Sequence, residues 1–172
     1  MLPSDIPLRH SPSSPPLLTL AGCLDFISHL EVERQEEVKA FLAATFTMRK
    51  LGLNPDVLVG MSALETGYWS SERWQISLNP GGIGATDDGA WGTTFPNGSL
   101  AAKAMAVHLM AYARGHDNRL AHYIHLDPRF VKVHEAGLAN SAKTLAGLGS
   151  GKWATDPFYP EKVLARILEV KG

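Results

Sequence analysis

The stretch between Ser70 and Gly98 restricts the fold more than any other part of the chain. Glycines and prolines recur through it, at Pro80, Gly81, Gly82, Gly84, Gly89, Gly92 and Pro96. A regular helix cannot persist where the backbone is freed or broken so often, so the sequence predicts turns and at most one small hairpin there. On both sides of the stretch, apolar residues recur at helical spacing. The pattern predicts a mainly α-helical protein with one small non-helical lobe.

The length of 172 residues suits a single domain with a sizeable core. Residues 1–20, where prolines alternate with serines, are predicted to form an extended arm, and residues 21–172 to form the domain. The charged residues over 31–39, inside the first helical pattern, indicate either a break in the helix or a solvent-exposed face. Helices are predicted over about 23–50, 55–66, 99–111, 117–125, 128–147 and 160–170.

The charge balance argues against a polyanionic partner. Sixteen basic and seventeen acidic residues give a formal net charge of −1, and no basic stripe is visible, so nucleic acid is not a predicted partner. The single cysteine, Cys23, excludes an internal disulfide and any multi-cysteine metal site. No apolar run has the length of a membrane span. Residues 20–23 match a lipoprotein cleavage box, but the apolar run before them is too short for an export signal, so no signal peptide is expected.

The end of the predicted helix 55–66 carries the strongest chemical signal. Asn54 and Pro55 are typical of a helix start, and Gly67 of a helix end. Glu65 lies at the border of the apolar stripe. Partial burial and the negative end of the helix dipole both raise the pKa of a carboxyl group in this place. Glu65 is therefore a candidate general acid, the alternative being a glutamate that faces solvent at a helix end.

Other chemistries fit the sequence less well. His122 and His125 share a helix face without a third ligand in a known pattern, so a surface histidine cluster explains them better than a metal site. A G-x-S-x-G elbow and a phosphate-binding loop are absent from the sequence. Cys23 is predicted to be a buried thiol. Glycosidic cleavage fits better, with Glu65 as the acid and Asp87 or Asp88 as a second carboxylate, although Asp-Asp-Gly is also ordinary turn chemistry.

Three segments, in order, resemble the glucosaminidase family of peptidoglycan hydrolases. They are residues 63–69 (A-L-E-T-G-Y-W), 79–84 (N-P-G-G-I-G) and 153–159 (W-A-T-D-P-F-Y), with Phe95 and Ser99 as further matches. The resemblance implies a lysozyme-like α+β fold, mainly α, with a small and trimmed β or loop lobe across a glycan groove. It implies hydrolysis of the N-acetylglucosaminyl β-1,4 linkage of cell-wall glycan strands, with Glu65 as the catalytic acid and no metal or cofactor.

Two departures from the family pattern bear on mechanism. Trp153 stands where the family has a tyrosine before Ala-Thr-Asp-Pro, which removes a hydroxyl group. Many members also carry a second glutamate on a long hairpin, whereas this chain has none between Glu72 and Glu135. Asp87, Asp88 or the substrate's own N-acetyl group could take the place of that glutamate.

The resemblance and the aromatic content together predict which residues line the sugar groove. The predicted substrate-binding residues are Tyr68, Trp69, Asn79, Gly82, Ile83, Trp91, Phe95, Trp153, Thr155 and Tyr159. A lytic transglycosylase or a muramidase on the same fold is the alternative within this enzyme class. A non-catalytic glycan-binding or structural protein is the alternative outside it.

The setting in which such an enzyme works is also a prediction. A chain made in the cytoplasm without a signal peptide suits a phage lysin, or an antibacterial effector delivered by a system such as type VI secretion. It would act on the cell wall, in the periplasm of a target cell or during phage lysis or entry. The predicted partners are peptidoglycan strands and, for an effector, an immunity protein that blocks the groove. Alone, the protein is expected to be monomeric.

Overall fold

The computed structural model describes residues 1–86 and 88–172, and most of this length is helical. Its helices are α1 (Leu20–Ser28), α2 (Gln35–Thr47), α3 (Pro55–Glu65), α4 (Glu72–Ser77), α5 (Gly98–Ala113), α6 (Phe130–Glu135) and α7 (Tyr159–Lys171). Short 3-10 helices lie at Pro3–Asp5, Met48–Leu51, Asn118–Leu126 and Leu145–Leu148. The prediction of a mainly α-helical protein is confirmed.

The glycine-rich lobe between α4 and α5 consists of turns and extended loop. Its described residues include no β-strand, so the α+β character implied by the family resemblance is not confirmed. Two backbone hydrogen bonds close the lobe: the Thr93 amide donates to the Ile83 carbonyl at 2.9 Å, and the Phe95 amide donates to the Ser77 carbonyl at 2.8 Å. The lobe is therefore a folded-back loop fastened to the end of α4.

Two helix pairs build the core. Helix α5 is buried on almost every side, because its alanines leave no bulk to hold neighbours away, and α2 packs directly on it. Helix α3 packs on α7 equally closely, since a Cβ atom at Gly60 would lie 2.5 Å from the Ile167 side chain. Glu65 is the last residue of α3. The candidate acid is thus carried by one of the best-packed helices in the protein.

Several predicted helix boundaries are corrected. The predicted helix over 23–50 is two helices with a break at 29–34, so the charged run over 31–39 lies partly in the break and partly on α2, where Glu36 and Lys39 are exposed. The predicted helix over 128–147 is wrong after Glu135, because Gly137 turns the chain with φ of 71°. The predicted helix over 99–111 begins one residue earlier, at Gly98, and Asn97 caps it, its side chain accepting the Leu100 amide at 2.9 Å. The final helix lies where it was predicted.

Residues 1–20 are largely extended, and they pack onto the helices. Leu8 is fully buried, its amide donates to the Lys143 carbonyl, and its carbonyl accepts the Asn54 amide, each at 3.0 Å. The buried carboxylate of Asp56 accepts two backbone amides, from Leu17 at 2.7 Å and from Leu18 at 3.0 Å. Residues 6–18 therefore contribute to the same core as the helices. Within the described residues, no helix is both long enough and apolar enough to cross a bilayer.

Candidate active site

A cavity of about 520 Å³ lies at the carboxyl end of α3. Glu65 lines it, together with residues of two loops, one over 81–86 and one over 151–155. The first loop belongs to the glycine-rich lobe, and the second leads into α7. The cavity therefore brings together the three sequence segments that resemble the glucosaminidase family.

The turn after α3 fixes the direction of Glu65. Three successive residues adopt left-handed backbone conformations, with φ of 54° at Gly67, 57° at Tyr68 and 60° at Trp69. Such angles are uncommon for residues other than glycine, so other contacts must hold them. The Thr66 hydroxyl accepts the Trp69 amide at 2.8 Å and donates to the Ser62 carbonyl at 2.6 Å. The turn is consequently tied to α3 itself.

The surroundings of Glu65 favour its protonated form. Burial raises the pKa of the carboxyl group above its usual range. The Tyr159 hydroxyl, the positive charge of Arg73 and the Trp153 indole N–H oppose this effect but do not cancel it. A half-buried carboxylic acid with a raised pKa, facing an open cavity, can donate a proton to the leaving oxygen of a substrate.

Among the side chains that oppose the effect of burial, Tyr159 lowers the pKa of Glu65 most. Its side chain is 4% exposed, and its hydroxyl stands next to the Glu65 carboxylate without the full geometry of a hydrogen bond to any described residue. Burial and the nearby negative charge of Glu65 raise the pKa of the phenol well above its usual value, so the hydroxyl keeps its proton. Tyr159 can therefore stabilise the ionised form of Glu65 and hold the carboxyl group in place.

Tyr159→Phe is expected to move the alkaline limb of the pH–rate profile to higher pH. The hydroxyl favours the Glu65 carboxylate, so its removal raises the pKa of Glu65 further, and the acid stays protonated to a higher pH. The measurement is kcat/KM for wall cleavage against pH, with Tyr123→Phe, outside the cavity, as the control. A limb that stays in place, or moves to lower pH, would show that Tyr159 does not act on Glu65.

Asn79 shapes the first cavity loop from within. Its fully buried side chain donates to the carbonyls of Ile83 at 2.8 Å and Thr93 at 2.9 Å, and it accepts the amides of Ile83 at 2.8 Å and Gly81 at 3.3 Å. Gly82 follows with φ of 68°, and a Cβ atom there would lie 3.1 Å from the Arg73 guanidinium. The Asn-Pro-Gly-Gly-Ile segment thus builds one wall of the cavity.

A buried hydrogen-bonded pair supports Trp153 in the second loop. His108, on α5, lies 2.7 Å from Asp127 through its Nδ1 atom, and both side chains are buried. The His108 ring meets the Trp153 ring edge-on, with centroids 4.6 Å apart. The Trp153 indole N–H lies near the Glu65 carboxyl group, to which it can donate a hydrogen bond. His108 itself lines the cavity.

The structure does not bring all the predicted groove residues to the cavity. Gly82, Ile83, Trp153 and Thr155 line it, and Tyr159 lies behind Glu65. Asn79, Trp69 and Phe95 are buried inside the fold. Trp69 has no exposed surface for a sugar, and its indole N–H donates to the Ser62 hydroxyl at 2.8 Å. Its contribution is therefore to packing.

Two further predicted groove residues, Tyr68 and Trp91, are not among the residues that line the cavity. The Tyr68 ring packs against Phe26, with centroids 5.5 Å apart, and its hydroxyl accepts from Arg166 at 3.2 Å. Trp91 is half exposed, and the Arg73 guanidinium, which does line the cavity, lies 5.9 Å from its ring centroid. Trp91 is thus placed to extend the site outward from Arg73.

The structure places Asp88, one of the two predicted second carboxylates, away from the cavity lining. Asp88 is exposed, does not line the cavity and accepts a hydrogen bond from the Thr86 hydroxyl. That bond lowers the pKa of Asp88. Its geometry is that of a turn residue. Asp87 lies outside the described residues.

The remaining reactive side chains do not form a second centre in the part of the chain that is described. No group of three or more His, Cys, Asp and Glu side chains there is arranged to hold a metal ion. Cys23 is buried, and burial, together with the negative charge of Asp56, raises the pKa of its thiol to about 12. A thiol in this state is not a nucleophile near neutral pH.

Sequence reasoning missed the cationic side of the cavity. Arg73, Arg129, Lys132 and Lys152 all line it, yet they are scattered over 80 positions of the sequence, and no linear motif connects them. It also gave His108 no role, although a histidine on an alanine-rich helix face needs a buried polar partner. That requirement was the one available signal for the pair with Asp127.

Comparison with known proteins found one matching family model and a similar protein. The model of the glucosaminidase family, described as mannosyl-glycoprotein endo-beta-N-acetylglucosaminidase, matches residues 42–172. The chain is similar to an uncharacterized protein of Borreliella burgdorferi, with 34% identity over 125 residues, which are 69% of this chain and 55% of that relative. The chain thus spans about half the length of that protein. No solved structure matches this chain. The chain belongs to the glucosaminidase family of peptidoglycan hydrolases.

Proposed function

We propose that the protein cleaves the N-acetylglucosaminyl β-1,4 linkage in peptidoglycan glycan strands, with Glu65 as the general acid. The observation that carries the proposal is the placement of Glu65: a half-buried carboxyl group with a raised pKa, at the end of a rigid helix, facing a cavity of about 520 Å³. A saccharide bound there would present its glycosidic oxygen to this proton donor. Family membership supports glycan hydrolysis independently.

The side of the sugar opposite the acid needs a second stabilising group. Among the described residues that line the cavity, Glu65 is the only carboxylate. This favours a reaction that needs one protein carboxylate, and we propose that the N-acetyl oxygen of the substrate stabilises the developing positive charge. Asp87 is the remaining protein candidate.

The same observation favours a second candidate, lytic transglycosylation, which also needs one acid. The two are separated by digesting peptidoglycan in H₂¹⁸O and analysing the fragments by mass spectrometry. The glucosaminidase is expected to leave reducing-end N-acetylglucosamine that carries one ¹⁸O atom. A transglycosylase would leave unlabelled anhydro-muramic ends, and a muramidase would leave labelled reducing-end N-acetylmuramic acid. Either of these products would overturn the proposed linkage.

The biological setting follows from the same proposal. Such an activity suits a phage lysin or an antibacterial effector that acts on the wall of a target cell, as the sequence predicted. The gene next to this one is a direct test. A small exported protein that binds the cavity and inhibits cleavage would support the effector role, whereas adjacent phage structural genes would support the lysin.

A further inference from the structure

The cavity that holds Glu65 is strongly cationic. Arg73, Arg129, Lys132 and Lys152 line it, against the single carboxylate of Glu65 among the described lining residues. The whole chain, in contrast, has 16 basic and 17 acidic residues. The positive charge is therefore a local feature of this cavity and not a consequence of a basic protein.

Five lysines and arginines outside the cavity have acidic partners among the described residues, whereas others, such as Arg9 and Lys50, have none. Arg114 and Arg119 both bind Asp117, at 3.0 Å and 2.7 Å, and Arg166 binds Glu169 at 2.8 Å. The four cavity cations, by comparison, make no ion pair within 4.0 Å with any described carboxylate (Glu65 and Asp88 included). Carboxylates of the described residues therefore do not neutralise the positive charge of the cavity.

Within the described part of the chain, these cations use few of their hydrogen-bond donors in contacts with the protein. Arg129 donates to the Ala85 carbonyl at 3.4 Å, and Lys152 donates to the Ser141 carbonyl at 2.9 Å. The Nε–H of Arg73 is buried without a partner among the described residues. The exposed acid near Lys132 is Asp88, whose pKa Lys132 helps to lower, but the two do not form a close pair. Unpaired guanidinium and ammonium groups are strong binders of carboxylates.

We propose that this cationic cavity binds the free carboxylates of the peptide substituents on the glycan strand, so that the enzyme selects peptide-bearing over uncharged glycan. The inference rests on the proposed function, because the anion must be attached to the molecule whose linkage Glu65 protonates. A plain N-acetylglucosamine polymer carries no negative charge, so it offers the four cations hydrogen-bond acceptors but no ionic partner. Strands with acidic peptides present carboxylates beside the scissile linkage, within reach of the arginines and lysines around Glu65.

The test compares two forms of one substrate. Purified cell wall is treated with carbodiimide and ammonia to convert its peptide carboxylates to amides, and a mock-treated portion keeps them. The expected result is that kcat/KM falls about tenfold on the amidated wall, as for the loss of several exposed charge pairs. Equal rates on the two walls would overturn the inference and leave the proposed function standing.

Paired variants assign the effect to the cavity. Arg129→Gln with Lys132→Gln is expected to lose about tenfold in kcat/KM on the native wall and less than twofold on the amidated wall, since the carboxylates are already absent there. The matched control, Arg9→Gln with Lys50→Gln, removes one arginine and one lysine charge from exposed sites outside the cavity. It should behave like the wild type. Equal losses by the cavity variant on both walls would overturn the inference.

A binding measurement separates the inference from the catalytic proposal. The Glu65→Gln protein is sedimented with native and with amidated wall at low and at high salt. Stronger binding to the native wall, weakened by salt, supports the inference even if no cleavage is observed in any assay. Equal binding to both walls overturns it, whereas the absence of new reducing ends from wild-type digests overturns the proposed function.

Discussion

Glu65→Gln is expected to reduce the rate of glycan cleavage by about 10³-fold while the protein still binds cell wall. The amide has the shape of the protonated carboxyl group, but it cannot donate the proton that the leaving oxygen requires, and general acids typically contribute 10²- to 10⁴-fold. The measurement is the release of reducing ends from peptidoglycan, with sedimentation of the variant on intact wall as the binding assay. Glu161→Gln, at an exposed site on α7 outside the cavity, is the control for losing a glutamate charge.

The same substitution should not destabilise the fold. Burial raises the pKa of Glu65 in the folded state, so the native protein binds more protons than the unfolded chain between the ordinary glutamate pKa and the raised value. Stability therefore falls as the pH rises through that window, and an uncharged glutamine escapes this loss. Urea unfolding at pH 7 should show the variant to be at least as stable as the wild type. Cleavage that persists in a folded Glu65→Gln protein would exclude Glu65 as the acid.

The part of the site that sequence could predict is the part built by contiguous residues. The helix from Pro55 to Glu65 has its cap, its first-turn proline and its terminal glycine in linear order, and local rules of this kind do not depend on the rest of the fold. The same holds for α7. Phe95 and Trp69 could not be assigned in this way, since a loop aromatic looks the same in sequence whether it faces a groove or the core. Their burial is decided by packing between distant segments.

The cationic residues of the cavity show more clearly what could not be predicted from the sequence. Arg73 lies on α4, Arg129 and Lys132 lie around α6, and Lys152 lies before α7. Each is unremarkable at its own position, and only the tertiary fold places them around one carboxyl group. The predicted long helix over 128–147 would have separated Lys132 from the turns that follow α6. That helix is wrong for a local reason, since Gly137 turns the chain after α6, whereas the missed cations depend on a tertiary arrangement that periodicity does not encode.

Asn79→Ala is expected to lower cleavage about 10²-fold and to reduce the free energy of unfolding by about 2–4 kcal/mol. The buried amide satisfies the backbone of Gly81, Ile83 and Thr93, and its removal takes away the partner of the Gly81 and Ile83 amides and of the Thr93 carbonyl. The glycine-rich loop would then lose the conformation that lines the cavity opening near Glu65. The measurements are kcat/KM for wall digestion and urea unfolding of the same preparation.

A second asparagine separates the effect on activity from the effect on stability. Asn97 also uses its side chain to satisfy a backbone amide, that of Leu100 at the start of α5, but it does not line the cavity. Asn97→Ala should cost about 1 kcal/mol of stability, as for the loss of a helix cap, and leave kcat/KM within twofold of the wild type. If both variants are assayed well below their unfolding temperatures and lose activity alike, the loop is not part of the active site. A selective loss in Asn79→Ala means that the conformation of the 81–86 loop, held from behind by one amide, is a requirement for catalysis separate from the proton on Glu65.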